Sequence, residues 1–183
     1  MSKQKILGNA ILLTTAIIWG VAFVFQRTGM ENIGPLTFNG SRMFLAAVAL
    51  FVLSLVTSNT KSAKEARNAL SEEERKEKDK TTLIGGLAAG GAIFLGSIFQ
   101  QAGLQYTTAG KAGFITALYI LIVPILTGIL YKTKTGIRIW AGVALGCSGL
   151  YLLSITEEFT IALGDTLMLV CALFFSVHII VCD

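Results

Sequence analysis

Six uninterrupted apolar runs decide what this chain can fold into: approximately Ile6 to Phe25, Leu36 to Val56, Leu83 to Leu104, Ala109 to Tyr131, Ile137 to Ile155 and Leu163 to Cys182. Each is close to the roughly 20 residues that an α-helix needs to cross a bilayer core. In hydrocarbon no water satisfies backbone amides, so each run must be helical, and continuous runs of this kind lack the alternation of a membrane barrel. Composition agrees, with 54% hydrophobic and 14% charged residues, against about 25% charged in soluble domains. Too little polar surface remains to cover a globule in water. Soluble enzymes, secreted disulfide scaffolds, collagen-like chains and disordered chains are therefore excluded, and the expected class is an all-α integral membrane protein with the lipid bilayer as its first partner. The first run is too long for a secretory signal and no small-residue cleavage site follows it, so it is expected to remain as a span.

Charge placement sets the expected orientation. Twelve of the fifteen basic residues flank one side: Lys3 and Lys5 before the first run, seven between the second and third, and Lys132, Lys134 and Arg138 between the fourth and fifth. The other side receives Arg27, Arg42 and Lys111, while the turn before the sixth run carries the acids Glu157, Glu158 and Asp165. The basic side is predicted to be cytoplasmic, with both termini inside. The formal net charge of +4 thus reflects loop placement rather than nucleic-acid binding. The hydrophilic stretch 57–82 reads as a solvated cytoplasmic loop of alternating sign. Ser71 followed by Glu74 predicts a capping box and a short surface helix.

Comparison of the chain with itself reveals a repeat. Gly8 to Val21 aligns without gaps on Gly164 to Val177, with Gly8, Leu13, Ala16 and Val21 matched identically. The sixth helix therefore reads as a second copy of the first. Five helices per copy is an odd number, so the second copy enters the membrane inverted, as in secondary transporters. The expected organisation is a first repeat over residues 1–156 and the start of a second over 157–183, which predicts a chain truncated from ten helices.

No pattern for covalent chemistry is present. The single histidine, His178, and the cysteines Cys147, Cys171 and Cys182 lie in apolar runs without metal-ligand spacing, so no metal, cofactor or enzymatic activity is expected. The cysteines read as reduced, buried small hydrophobes. The run Gly85 to Gly91 lacks the Lys-Ser/Thr ending of a phosphate loop, which leaves ATP-driven pumping unsupported. Gly86 with Gly90, and Gly142 with Gly146, form small-xxx-small pairs that predict close helix approach.

Polar residues inside spans are the candidates for a transport pathway, since such groups turn away from lipid toward a bundle interior or wet cavity. Gln100 and Gln101 near the end of the third run fit either structural hydrogen bonding or substrate contact. Thr15, Trp19 and Gln26 share one face of the first helix, where Trp19 suits a passage lining or an interfacial belt equally. Arg42, six residues into the second run and roughly 9 Å along it, either snorkels to headgroups or faces a cavity and attracts an anion. His178 fits a proton relay or a hydrogen-bonded helix end. Pro124, about a turn beyond Tyr119, predicts a kink in the fourth helix.

The stretch Gln100 to Thr116, followed by Leu118-Tyr119 and Pro124, resembles the third-to-fourth helix region of EamA-type proteins of the bacterial drug/metabolite transporter superfamily, as do Trp19-Gly20 and the segment Pro35 to Arg42. The resemblance implies two inverted five-helix EamA repeats in a bacterial inner-membrane carrier that exports amino acids or other small metabolites. It also implies that the third and fourth helices line the passage, which adds Tyr106 and Tyr119 to Gln101 as pathway candidates. The leading expectation is a secondary exporter working by alternating access on a small-molecule substrate. The alternative is a non-transporting membrane module that docks on a second copy or on a separate remaining half. A dimeric small multidrug exporter fits less well, because the first run holds no acidic residue.

Overall fold

A computed structural model describes residues 3–132, 136–154 and 162–183, and all elements among them are helices. In chain order they are α1 (Lys3–Gly29), α2 (Pro35–Ser58), α3 (Lys61–Asn68), α4 (Glu72–Gly103), α5 (Ala109–Ala117), α6 (Tyr119–Tyr131), α7 (Ile137–Ser154) and α8 (Leu163–Cys182). Five spans among the described residues are long and apolar enough to cross a membrane: α1, α2, α4, α5 with α6, and α8. The fifth apolar run is the 18-residue helix α7, which is not among those five. Lys134, Glu157 and Glu158, which contributed to the expected orientation, lie outside the described residues.

Helix starts follow local chemistry. Pro35 opens α2, where its missing N–H and fixed φ cost nothing. The Thr60 hydroxyl caps α3 by accepting from the Ala63 amide, and the Thr108 hydroxyl caps α5 by accepting from the Lys111 amide at 3.2 Å. At α4 the expected capping box forms: the Glu74 amide donates to Ser71 Oγ at 3.3 Å and the Ser71 amide to Glu74 Oε2 at 2.8 Å. The helix it starts is not short. No glycine or proline separates Glu72 from Leu83, so α4 runs unbroken for 32 residues, about 48 Å. Its first three turns are charged and project beyond the apolar part. There the exposed pairs Lys76–Glu72 (3.1 Å) and Arg67–Asp79 (3.0 Å) tie α4 to itself and to α3.

The fourth run divides at Leu118, a turn and a half before Pro124, which sits inside α6. Around Leu118 the backbone tightens: its N–H bonds to the Ile115 carbonyl at 3.1 Å, and its own carbonyl accepts from the Leu121 amide at 2.9 Å. A proline ring presses on the carbonyl four residues earlier and removes a donor, here at Ile120, so the break at Leu118 lies two residues before the carbonyl that Pro124 disturbs.

Packing centres on α8, which contacts α4, α5 and α6. Gly164, Asp165, Met168, Cys171, Ala172, Phe175 and Ser176 are buried along one face, at the spacing of a helical stripe. α8 and α4 run antiparallel. Gly164 meets Gly103 at one end, Phe174 stacks on Phe99 with ring centroids 5.7 Å apart, and His178 Nδ1 lies 2.9 Å from the Ala89 carbonyl at the other. At the first contact the backbones touch: a Cβ on Gly164 would stand 2.8 Å from the Gly103 carbonyl oxygen. Of the pairs expected to mediate close approach, Gly86 with Gly90 does not, and neither does Gly142. A Cβ on Gly86, Gly90 or Gly142 would meet nothing within 4 Å, because those positions face away from other helices; the surroundings of Gly146 lie outside the described residues. The cysteine expectation is likewise corrected in part, since Cys171 is buried but Cys147 is intermediate and Cys182 exposed.

Candidate functional site

Three polar residues predicted for the pathway, or on its face, converge. A cavity of about 200 Å³ is enclosed by Trp19, Ala22, Phe23 and Gln26 of α1, Arg42 and Met43 of α2, Ile93, Ser97 and Gln100 of α4, and Phe175 of α8. Gln26 and Gln100 each lie three residues from the end of their helix, about 4.5 Å of rise. Arg42 is seven residues past the start of α2 and Trp19 ten before the end of α1, about 10 and 15 Å. The cavity thus extends from near the α1–α2 turn to roughly the middle of a 30 Å hydrocarbon layer.

Its polar groups are unequally partnered. Arg42 Nη2 donates to Asn39 Oδ1 at 2.9 Å, and Asn39 is itself buried. The guanidinium, half-buried, makes no ion pair among the described residues. The Ser97 hydroxyl is spent on the Ile93 carbonyl at 2.7 Å. Gln26 is 6% exposed and its Oε1 has no hydrogen-bond partner among the described residues. Gln100 is equally buried. The walls between these groups are aromatic or aliphatic, and no carboxylate lines the cavity.

Trp19 and Phe23 also border a second cavity of about 340 Å³ between α1 and the α5–α6 unit, where Tyr119, Thr116 and the backbone of Gly110 and Gly113 form the opposite side. A third, apolar groove of about 500 Å³ lies between α1 and α2 and shares Gln26 and Arg42 with the first. Trp19, Arg42, Gln100 and Tyr119 are therefore the sequence candidates that reach cavities. Four others do not. The Thr15 hydroxyl bonds to the Ile11 carbonyl of its own helix at 2.9 Å and is exposed. Gln101 is fully buried against Met30, with Nε2 2.8 Å from the sulfur. Tyr106 is exposed at the α4–α5 turn, where its backbone packs on Gly164. His178 sits at the far end of α8, held by the Ala89 carbonyl, with Cys182 Sγ 3.8 Å from Nε2.

A second polar cluster, read from sequence only as charges to be counted, closes the α4–α5 corner. Asp165, in the first turn of α8, accepts from the Thr107 hydroxyl (3.1 Å) and the Ala162 amide (2.9 Å), and pairs with Lys111 at 2.7 Å. The Arg27 guanidinium donates to the carbonyls of Thr107 and Leu104 on the same corner. The buried Asp165 and Thr107 are thus satisfied where α8 meets the α4–α5 corner. Only Asp165 at the third position of a helix, where it can cap, signalled this role in the sequence. Among the described residues no group of His, Cys, Asp or Glu could hold a metal ion.

A model of the EamA-like transporter family matches residues 6–155. The chain belongs to this family. An uncharacterized transporter of Archaeoglobus fulgidus is 37% identical to this EamA-family chain over 176 residues, which cover 96% of the chain and 49% of that relative. The uncharacterized transporter YoaV of Bacillus subtilis is 24% identical over 166 residues, covering 88% of the chain and 52% of the relative. The chain spans about half the length of the curated relatives it matches. No solved structure matches. The EamA-family assignment and the five apolar spans make this a multi-pass membrane protein of a transporter family.

Proposed function

We propose that this chain acts in secondary transport, moving small organic molecules such as amino acids or other metabolites outward across a bacterial inner membrane by alternating access. The observation that carries this reading is the cavity of about 200 Å³, in which Arg42, Gln26 and Gln100 sit inside the membrane-spanning part of three different helices. Polar groups within spans turn toward a bundle interior or a water-filled cavity, and a cluster of them from several helices is a common mark of a solute path. The walls come from α1, α2, α4 and α8, and α8 is the helix whose sequence repeats that of α1. That match supports two inverted repeats, the architecture in which substrate sits between the halves and access alternates by rocking. The bias of basic residues to one side supports cytoplasmic termini. Substrate contact is assigned to Trp19, Arg42 and Gln100, and Tyr119 to the adjoining cavity.

The test is flux. Proteoliposomes of the chain loaded with a radiolabelled panel of amino acids and organic acids are expected to release at least one of them faster than protein-free vesicles, and Gln100→Ala is expected to slow that release. Retention of the whole panel by a preparation with intact helical content would overturn the reading.

A further inference from the structure

From the chemistry of the α1–α2–α4–α8 cavity we infer its substrate class: a small 2-hydroxy carboxylate with an apolar body, bound with its carboxylate on Arg42 and its hydroxyl on Gln26. This deepens the transport reading and rests on the cavity assigned to it. Four observations fix the chemistry.

First, Arg42 is a permanent cation whose single partner among the described residues is the neutral Asn39 amide. A guanidinium has five donors in a planar fork that matches a carboxylate, and a cation at membrane depth is stabilised by an anion. Second, Gln26 lines the cavity and its Oε1 is buried without a partner, so a turn of the side chain toward the cavity would offer this amide to a donor on the solute and satisfy it. A hydroxyl is both donor and acceptor, so it meets either end of this amide. Third, the remaining wall, including Trp19, Phe23 and Phe175, suits an aliphatic or aromatic body. Fourth, no carboxylate lines the cavity. An ammonium beside Arg42 would meet a like charge with nothing to balance it, so a net anion is favoured over the matching zwitterionic amino acid. At liquid-like density about 200 Å³ holds roughly seven to ten non-hydrogen atoms, the size of 2-hydroxyisocaproate.

The decisive measurement is binding to the detergent-purified chain, read from Trp19 fluorescence in a Trp140→Phe background, since these are the two tryptophans. The probes are 2-hydroxyisocaproate, isocaproate without the hydroxyl, leucine with an ammonium in its place, and 2-hydroxyisocaproamide without the charge. 2-Hydroxyisocaproate is expected to bind tightest, and the amide and leucine about 10- to 100-fold more weakly. Arg42→Gln should remove the preference for the acid over the amide, and Arg42→Lys should restore part of it. Gln26→Leu should weaken 2-hydroxyisocaproate to the level of isocaproate while leaving isocaproate unchanged, which a folding defect would not do. Equal binding of acid and amide, tighter binding of leucine, or no binding of any probe would overturn the inference. Flux separates the two readings: release of amino acids without hydroxy-acid binding leaves transport standing and sinks the substrate class, whereas hydroxy-acid binding without flux does the reverse.

Discussion

The pair α4–α8 and the pair α1–α2 are both made of apolar helices, yet they are held in opposite ways. α8 buries seven residues and touches α4 backbone to backbone at Gly103 and Gly164. α2 buries one residue, Asn39, and α1 is covered mainly at Phe23 and Gln26, with Met30 buried just beyond its end. In lipid the hydrophobic effect does not draw helices together, so association rests on close packing and polar contacts. The first pair has both. The second has the apolar groove of about 500 Å³ between its members. Apolar content alone therefore says little about which helices are fixed and which are free to rearrange around a solute.

Removing one partner of the ion pair that ties the α5 start to α8 is expected to break this contrast most strongly. Lys111→Met leaves the buried Asp165 with only the Thr107 hydroxyl and the Ala162 amide, and is predicted to cost about 2–4 kcal/mol in denaturant unfolding in mild detergent. Adding Asp165→Leu should recover part of the loss. An unaltered midpoint in Lys111→Met would show that α8 is held by packing alone.

Next in size is the backbone contact. Gly164→Ala places a methyl 2.8 Å from the Gly103 carbonyl and is predicted to cost about 1–3 kcal/mol. Gly40→Ala on α2, where a Cβ meets nothing within 4 Å, should cost nothing in the same assay. Equal losses at both positions would erase the distinction between the pairs. Hydrogen exchange followed by mass spectrometry tests it without mutation: amides in the middle of α8 should exchange about tenfold or more slower than those in the middle of α2.

Smaller effects are expected at the charged end of α4. Ser71→Ala removes half of a capping box and should cost about 0.5–1 kcal/mol. Asp79→Asn breaks an exposed pair with Arg67 and should stay below about 0.5 kcal/mol. A larger loss at Asp79 would mean that α3 is a structural brace rather than a solvated connection.

Hydropathy located the helices well because length and apolarity are local properties. The sixth run and α8 share the same limits, Leu163 to Cys182. Features that depend on neighbours were less legible. The charged stretch before Leu83 read as loop with a short surface helix from Ser71, because it is polar, but nothing in it interrupts a helix, and α4 continues through it. Gly86 and Gly90 have the spacing of a packing motif, whereas the contacts fall at Gly96, Gly103 and Gly164, since only the fold decides which face of α4 meets α8. Among the site candidates, Trp19, Arg42 and Gln100 converge on one cavity. Gln101, one residue along, turns into the core on Met30. A rotation of about 100° per residue separates those fates, and a single sequence does not state the direction of the neighbour. The Lys111–Asp165 pair joins residues far apart in the chain, a contact that no periodicity encodes.

The length of α4 limits how this bundle can move. A slide of α4 by one turn, about 5.4 Å, would draw Asp79 and Lys80 to the edge of the hydrocarbon, and longer slides would carry them toward the centre of the span, where each charge costs about 2.5–3.5 kcal/mol. Seven more charged side chains follow behind them, from Glu72 to Lys78 without a break. The charged collar therefore opposes movement of α4 along its own axis more than tilt or rotation. Because α8 is in backbone contact with it at Gly103 and Gly164, the transport reading proposed above predicts that the two move together and that the cavity opens by displacement of α1 and α2 against them.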